Sequence, residues 1–114
     1  MYNKKQSDLL KKSIIKWESI VDRTGVDNGT KNCALCQEYY DSFCEGCPIY
    51  EFKSNEDCHE DCHGTPYWDW VDLTEKDEHP YKNTNDKTQK AAEKELEFLE
   101  MLLEKTILFR DLTL

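Results

Sequence analysis

The chain has no long apolar run, no apolar leader and few aliphatic side chains in its middle, and each shortage narrows what it can be. No stretch approaches the ~18 apolar residues of a membrane-spanning helix. The start, Met1-Tyr2-Asn3-Lys4-Lys5-Gln6-Ser7-Asp8, is polar and leads into an amphipathic stretch, where a secretory leader would carry an apolar segment. A cytosolic protein is therefore expected. With 38% hydrophobic and 34% charged residues among 114, one domain covering residues 1–114 is expected, with a thin core. Apolar material is crowded toward the two ends, so the middle needs another source of stability. No repeat is present beyond two Cys-x-x-Cys pairs, and no nucleophile–base–orienter set stands outside the cysteines and histidines.

Charge is uneven along the chain. Residues 1–32 carry seven basic and four acidic side chains, net +3; residues 33–80 carry two and thirteen, net −11; residues 81–114 carry six and seven, net −1. An acidic middle repels nucleic-acid backbones and suits a basic protein surface, or simply solubility.

Hydrophobic spacing predicts a helix over residues 7–22, with Ser7 as N-cap and Leu10, Ile14, Trp17 and Val21 on one face, widened by Leu9 and Ile20. Gly25 is expected to end it, and Asp27-Asn28-Gly29-Thr30 reads as a tight turn. A second helix is expected over residues 85–109, capped by Thr84 or Asn85. Its stripe is Ala92, Leu96, Leu99, Leu103 and Ile107, and Phe98, Met101, Leu102, Leu108 and Phe109 widen it beyond what one partner helix requires. Either that face packs on both the first helix and the Cys-rich region, or it also forms a homo-oligomer interface. Residues 33–80 show no sustained period; they read as an irregular, metal-organised region with a short helix around 34–40.

That region holds all six cysteines, in the order Cys33-Ala-Leu-Cys36, Cys44-Glu-Gly-Cys47-Pro48, Cys58 and Cys62. In a cytosolic chain such cysteines argue for metal or redox chemistry over disulfides. A two-residue spacer brings both sulfurs of a pair to one tetrahedral ion, and two pairs supply the four thiolates of a structural zinc site. The expected ligands of one zinc are four of Cys33, Cys36, Cys44, Cys47 and Cys62. His59 and His63 are further candidates, Cys58 reads as a small buried hydrophobe, and an iron–sulfur cluster is the rival metal.

His59-Glu60-Asp61-Cys62-His63 matches the His-Glu-x-x-His pattern of zinc hydrolases. That chemistry needs both histidines on one helical face. Gly64 and Pro66 follow at once, and cysteines lie within and beside the motif, so the match reads as chance. Tyr67-Trp68-Asp69-Trp70 reads either as a local aromatic core or as a stacking surface for a nucleotide. Tyr67, Trp68, Trp70 and Lys53 are then the candidate ligand or partner contacts.

The run Cys33-Ala-Leu-Cys36, Cys44-Glu-Gly-Cys47-Pro48, Cys62-His63-Gly64-Thr65-Pro66-Tyr67-Trp68-Asp69-Trp70 resembles uncharacterised small Cys-rich proteins of bacteriophages and prophages. These place the same motifs between a tryptophan-bearing first helix and a last helix. The resemblance covers about two-thirds of the chain, from Trp17 on, and brings no known activity with it. It implies a bacterial cytoplasm as the setting and, by analogy, a counter-defence role. The expected fold is mainly α, a helical hairpin with an inserted zinc-bound region. The expected function is stoichiometric, non-enzymatic binding of a host protein or a signalling nucleotide. The alternatives are a zinc-module regulator associated with nucleic acid and, more remotely, a metallohydrolase.

Overall fold

The computed structural model describes residues 4–39, 48, 66–74 and 80–112, the side chains of Thr30 and of residues 106–112 excepted. The described residues are mainly helical: α1 (Lys4–Val21), a 3-10 turn (Gly29–Asn32), α2 (Ala34–Tyr39), α3 (Pro66–Thr74) and α4 (Asp86–Leu112). Among them the only pairing of extended backbone is an isolated antiparallel bridge between Asp27 and Tyr81. None of their helices is long and apolar enough to cross a membrane.

α1 begins at Lys4, three residues earlier than its spacing suggested. Ser7 is therefore not its cap but a buried residue inside it, with an Oγ that has no hydrogen-bond partner. The buried face runs Gln6, Leu10, Ser13, Trp17 and Ile20, so Ile20 belongs to its centre while Ile14 and Val21 sit half-buried at its edge.

The stop of α1 also differs from expectation. Arg23, at φ 63°, takes the left-handed conformation that usually falls to glycine. Its N–H donates to the Ile20 carbonyl at 3.0 Å, and the Thr24 N–H to the Ser19 carbonyl at 2.9 Å. This pair of bonds closes the helix. Gly25 is needed for a different reason: a Cβ there would lie 2.0 Å from Ser19 Oγ and 2.8 Å from Ser19 Cβ. The chain crosses its own last turn too closely for a side chain.

α4 starts as its sequence suggests, with Asn85 as the cap: Asn85 Oδ1 accepts the Thr88 N–H at 3.0 Å. Just before it, Asn83 Nδ2 donates to the Ile20 carbonyl at 2.9 Å, which ties the start of α4 to the end of α1. α1 and α4 pack against each other, and α3 packs on α4. The buried face of α4 is Thr88, Ala91, Ala92, Glu95, Leu99 and Leu102, with Leu96 and Leu103 only half-buried. The true register is rotated toward Glu95.

α3 is a correction to the irregular middle. Pro66 fits a first helical turn, where its missing N–H is not needed. Trp70, Val71 and Thr74 then fall on one buried face. One core joins all four helices: Leu10, Trp17 and Ile20 of α1, Leu35 of α2, Trp70 and Val71 of α3, and Ala91, Ala92, Leu99 and Leu102 of α4. Polar side chains complete it because aliphatics are few, and Gln6, Ser7, Ser13, Asp27, Thr88 and Glu95 are all buried.

Candidate functional site

The first cysteine pair sits where the 3-10 turn hands over to α2. Asn32 holds the approach: its Oδ1 accepts the Asn28 N–H and its Nδ2 donates to the Val26 carbonyl, both at 2.9 Å. Cys33 then occupies the cap position of α2, and the Cys36 N–H donates to Cys33 Sγ at 3.1 Å. Leu35, between the two cysteines, is buried in the common core at 2% exposure. Gln37 Nε2 donates to the Lys31 carbonyl at 2.7 Å, and Lys5 of α1 forms a surface ion pair with Glu38.

Both cysteines are half-buried. The Cys33 thiol is drawn down to about 7, first by a hydrogen bond with the Cys36 side chain and further by the Cys36 backbone N–H and the charge of Lys16. Burial and the Asp27 charge oppose that fall. A sulfur that accepts an N–H and titrates near neutrality is readily held as a thiolate, the form that binds metal.

Close to this pair lies a polar centre that the sequence reading missed. Asp27 is fully buried, and its carboxylate accepts four hydrogen bonds. Oδ1 takes Lys16 Nζ at 2.8 Å and the Gly29 N–H at 2.9 Å; Oδ2 takes the Tyr67 hydroxyl at 2.9 Å and Trp70 Nε1 at 3.0 Å. Its backbone is also paired, with N–H to the Tyr81 carbonyl at 2.9 Å and carbonyl from the Tyr81 N–H at 2.8 Å. One residue thus joins α1, the loop before α2, α3 and the segment before α4. Lys16, whose side chain is 12% exposed, lies 5.5 Å from the ring centroid of Trp17. Trp17 meets Tyr67 and Trp70 edge-to-face at 5.9 and 5.2 Å.

Glu95 of α4 is the second buried acid and was also missed. Burial pushes its carboxyl well above the usual range, with Asp27 and Cys33 adding to the rise and Lys16 opposing it. Its Oε1 has no hydrogen-bond partner. The available signal was register: Thr88, Ala92, Glu95, Leu99 and Leu102 alternate steps of four and three, the spacing of one helical face.

Of the expected site residues, Cys33 and Cys36 are brought together. Cys44, Cys47, Cys62 and Lys53 lie outside the described residues, as do Cys58, His59, Glu60 and His63. Pro48, which follows Cys47, is fully buried. Tyr67 and Trp70 converge on Asp27, with Trp70 at 0% exposure as a core residue and Trp68 half-buried beside them. Among the described residues no three His, Cys, Asp or Glu side chains are grouped to hold a metal. No protein-family model, curated protein or solved structure matches the chain.

Proposed function

We propose that this is a small zinc-binding protein of the bacteriophage or prophage type that acts by binding a partner stoichiometrically, not by catalysis. The observation that carries the metal half is the bond from the Cys36 N–H to Cys33 Sγ, with the Cys33 thiol drawn down to about 7. N–H donors around sulfur are the outer contacts that stabilise a metal-bound thiolate and fix its direction. Cys33 and Cys36 would supply two donors, and two of Cys44, Cys47 and Cys62 the others. An ion closed by four thiolates crosslinks the aliphatic-poor middle and leaves no position open for a reacting water.

The binding half rests on charge and aromatics. The net −11 of residues 33–80 suits a basic surface on a host protein, the mode expected of a counter-defence inhibitor in a bacterial cytoplasm. The other mode is capture of a signalling nucleotide by Tyr67, Trp68 and Lys53; the burial of Trp70 takes that side chain out of such a pocket. Sizing with light scattering and native mass spectrometry on the purified protein reads metal, oligomer and co-purified ligand together. The expected result is about one zinc per chain, as a four-thiolate site requires. Once a partner is in hand, neutralisation should saturate at a fixed molar ratio. Turnover of a large excess by a trace of protein would make the chain an enzyme.

A further inference from the structure

Asn28-Gly29 is the only Asn-Gly step in the chain. Such a step is chemically labile in an unfolded peptide: the backbone nitrogen that follows asparagine attacks its side chain, and glycine has no Cβ to crowd the approach. Here the step lies beside Asp27, and the fold ties the groups that would have to move. The Gly29 N–H donates to Asp27 Oδ1 at 2.9 Å, and Lys16 Nζ holds the same oxygen at 2.8 Å. The Asn28 N–H donates to Asn32 Oδ1 at 2.9 Å, and the Asn28 carbonyl accepts the Lys31 N–H at 3.3 Å. Gly29 itself is held at φ 63°.

We propose that Asn28-Gly29 is a latent modification site, a deamidation step that the Asp27 hub locks and that is released when the hub opens. The lock acts on the nucleophile first. The Gly29 nitrogen must shed its proton to attack, and that proton is bonded to a fully buried carboxylate. The negative charge of Asp27 also disfavours a second negative charge on the amide nitrogen bonded to it. The lock acts on the electrophile as well. Attack needs rotation about the bonds of Asn28, whose N–H and carbonyl are both tied.

In the opened loop the Gly29 nitrogen forms a bond to Asn28 Cγ. The Cγ–Nδ2 bond breaks, and Nδ2 leaves as ammonia, a proton replacing the one that Gly29 gave up to solvent. Water then opens the five-membered imide at either of its carbonyls and leaves an aspartyl or an isoaspartyl residue at position 28. Nothing is oxidised or reduced, and water is the only co-reactant. The isoaspartyl product threads the backbone through the former side chain and lengthens it by one methylene. The Gly29 N–H then no longer falls on Asp27 Oδ1, so a transient opening of the hub becomes permanent.

Full-length protein under reductant, native or unfolded in guanidinium, is incubated at mildly alkaline pH. Peptide mapping by mass spectrometry follows Asn28 through the mass gained when ammonia is exchanged for water. The native rate is expected to be more than about tenfold below the unfolded one, because reaction waits on the opened fraction of the loop. Equal rates would overturn the lock. Tyr67→Phe removes one donor from Asp27 Oδ2 and touches neither Asn28 nor Gly29, so it should speed the native reaction by about tenfold, the worth of a bond to a charged acceptor. Leu99→Val weakens the core without removing a hub bond and should leave the native rate within about twofold of wild type, as a local opening requires. Equal acceleration in the two variants would show that global unfolding, not the hub, controls the site, and would overturn the proposal. Hydrogen exchange at the Gly29 amide of wild type reads the same opening without a variant: exchange through a sub-global opening is expected, and exchange only through global unfolding contradicts it. Purified protein with isoaspartyl at position 28 should not regain the wild-type unfolding midpoint, and full recovery would refute the permanence of the opened state.

Discussion

Two carboxyl groups are buried within electrostatic reach of Lys16, and the fold treats them in opposite ways. Asp27 accepts four hydrogen bonds, one from an ammonium group, and its backbone is bonded in both directions. Glu95 has an oxygen with no partner, and burial raises its carboxyl well above the ordinary range. Both are sealed from solvent, so burial alone does not separate them. Partners do: a buried charge is tolerable when every lone pair is met, and a buried acid without them keeps its proton. Asp27 is where the fold is tied together, and Glu95 is where it carries an unmet polar group.

The sharpest way to break this contrast is to remove Asp27. Asp27→Ala leaves Lys16 buried and uncompensated and strands the Tyr67 and Trp70 donors, so a loss of about 3–5 kcal/mol is expected in denaturant unfolding. A loss below about 1 kcal/mol, the range of a surface pair, would show that the hub is not structural. A gentler probe is Trp70→Phe, which keeps an aromatic ring in the core but deletes one donor to Oδ2. A loss of about 1.5–3 kcal/mol is expected for a hydrogen bond to a charged acceptor, with some added from the smaller ring.

Glu95 should respond with the opposite sign. Glu95→Leu keeps a similar volume and removes the unmet oxygen, so a gain of about 1–3 kcal/mol at neutral pH is expected. The pH profile is the more specific readout. Because the folded carboxyl is raised above the ordinary 4.5, its contribution is complete below that value and is lost as pH climbs through the raised folded one. Lys16 of α1, Asp27 of the loop and Cys33 before α2 are the charged or titratable groups that act on it. Wild type should therefore lose stability from about pH 4.5 upward relative to Glu95→Leu, and parallel profiles for the two proteins would refute the assignment. The smallest expected effect is at the end of α1. Arg23→Gly relieves a positive φ at an exposed position, and a gain of about 1 kcal/mol or less is expected in thermal unfolding.

These contrasts also show where the sequence was legible. The Asn85 cap, the short helix from Ala34 and the turn at Asp27 are local signals, and local signals could be read. Asp27 as a hub could not, because its partners Tyr67 and Trp70 lie 40 and 43 residues away and only folding brings them in. Arg23 took the place expected of Gly25 because the closing turn comes two residues earlier, while Gly25 answers a steric need that spacing does not reveal. α3 was hidden because its buried residues are Trp70, Val71 and Thr74, too short a series to show a period. Of the expected metal ligands, Cys33 and Cys36 lie together at the start of α2. Cys44, Cys47 and Cys62 lie beyond the described residues.

The central claim is that thiolates at the start of α2 hold a structural zinc ion. Native mass spectrometry of the reduced full-length protein, beside Cys36→Ser and Cys58→Ser, tests it most directly. The account predicts about one zinc per chain in wild type and in Cys58→Ser, and none in Cys36→Ser, where one of four donors is gone. A folded wild-type protein that carries no metal and holds its cysteines as native disulfides would contradict it.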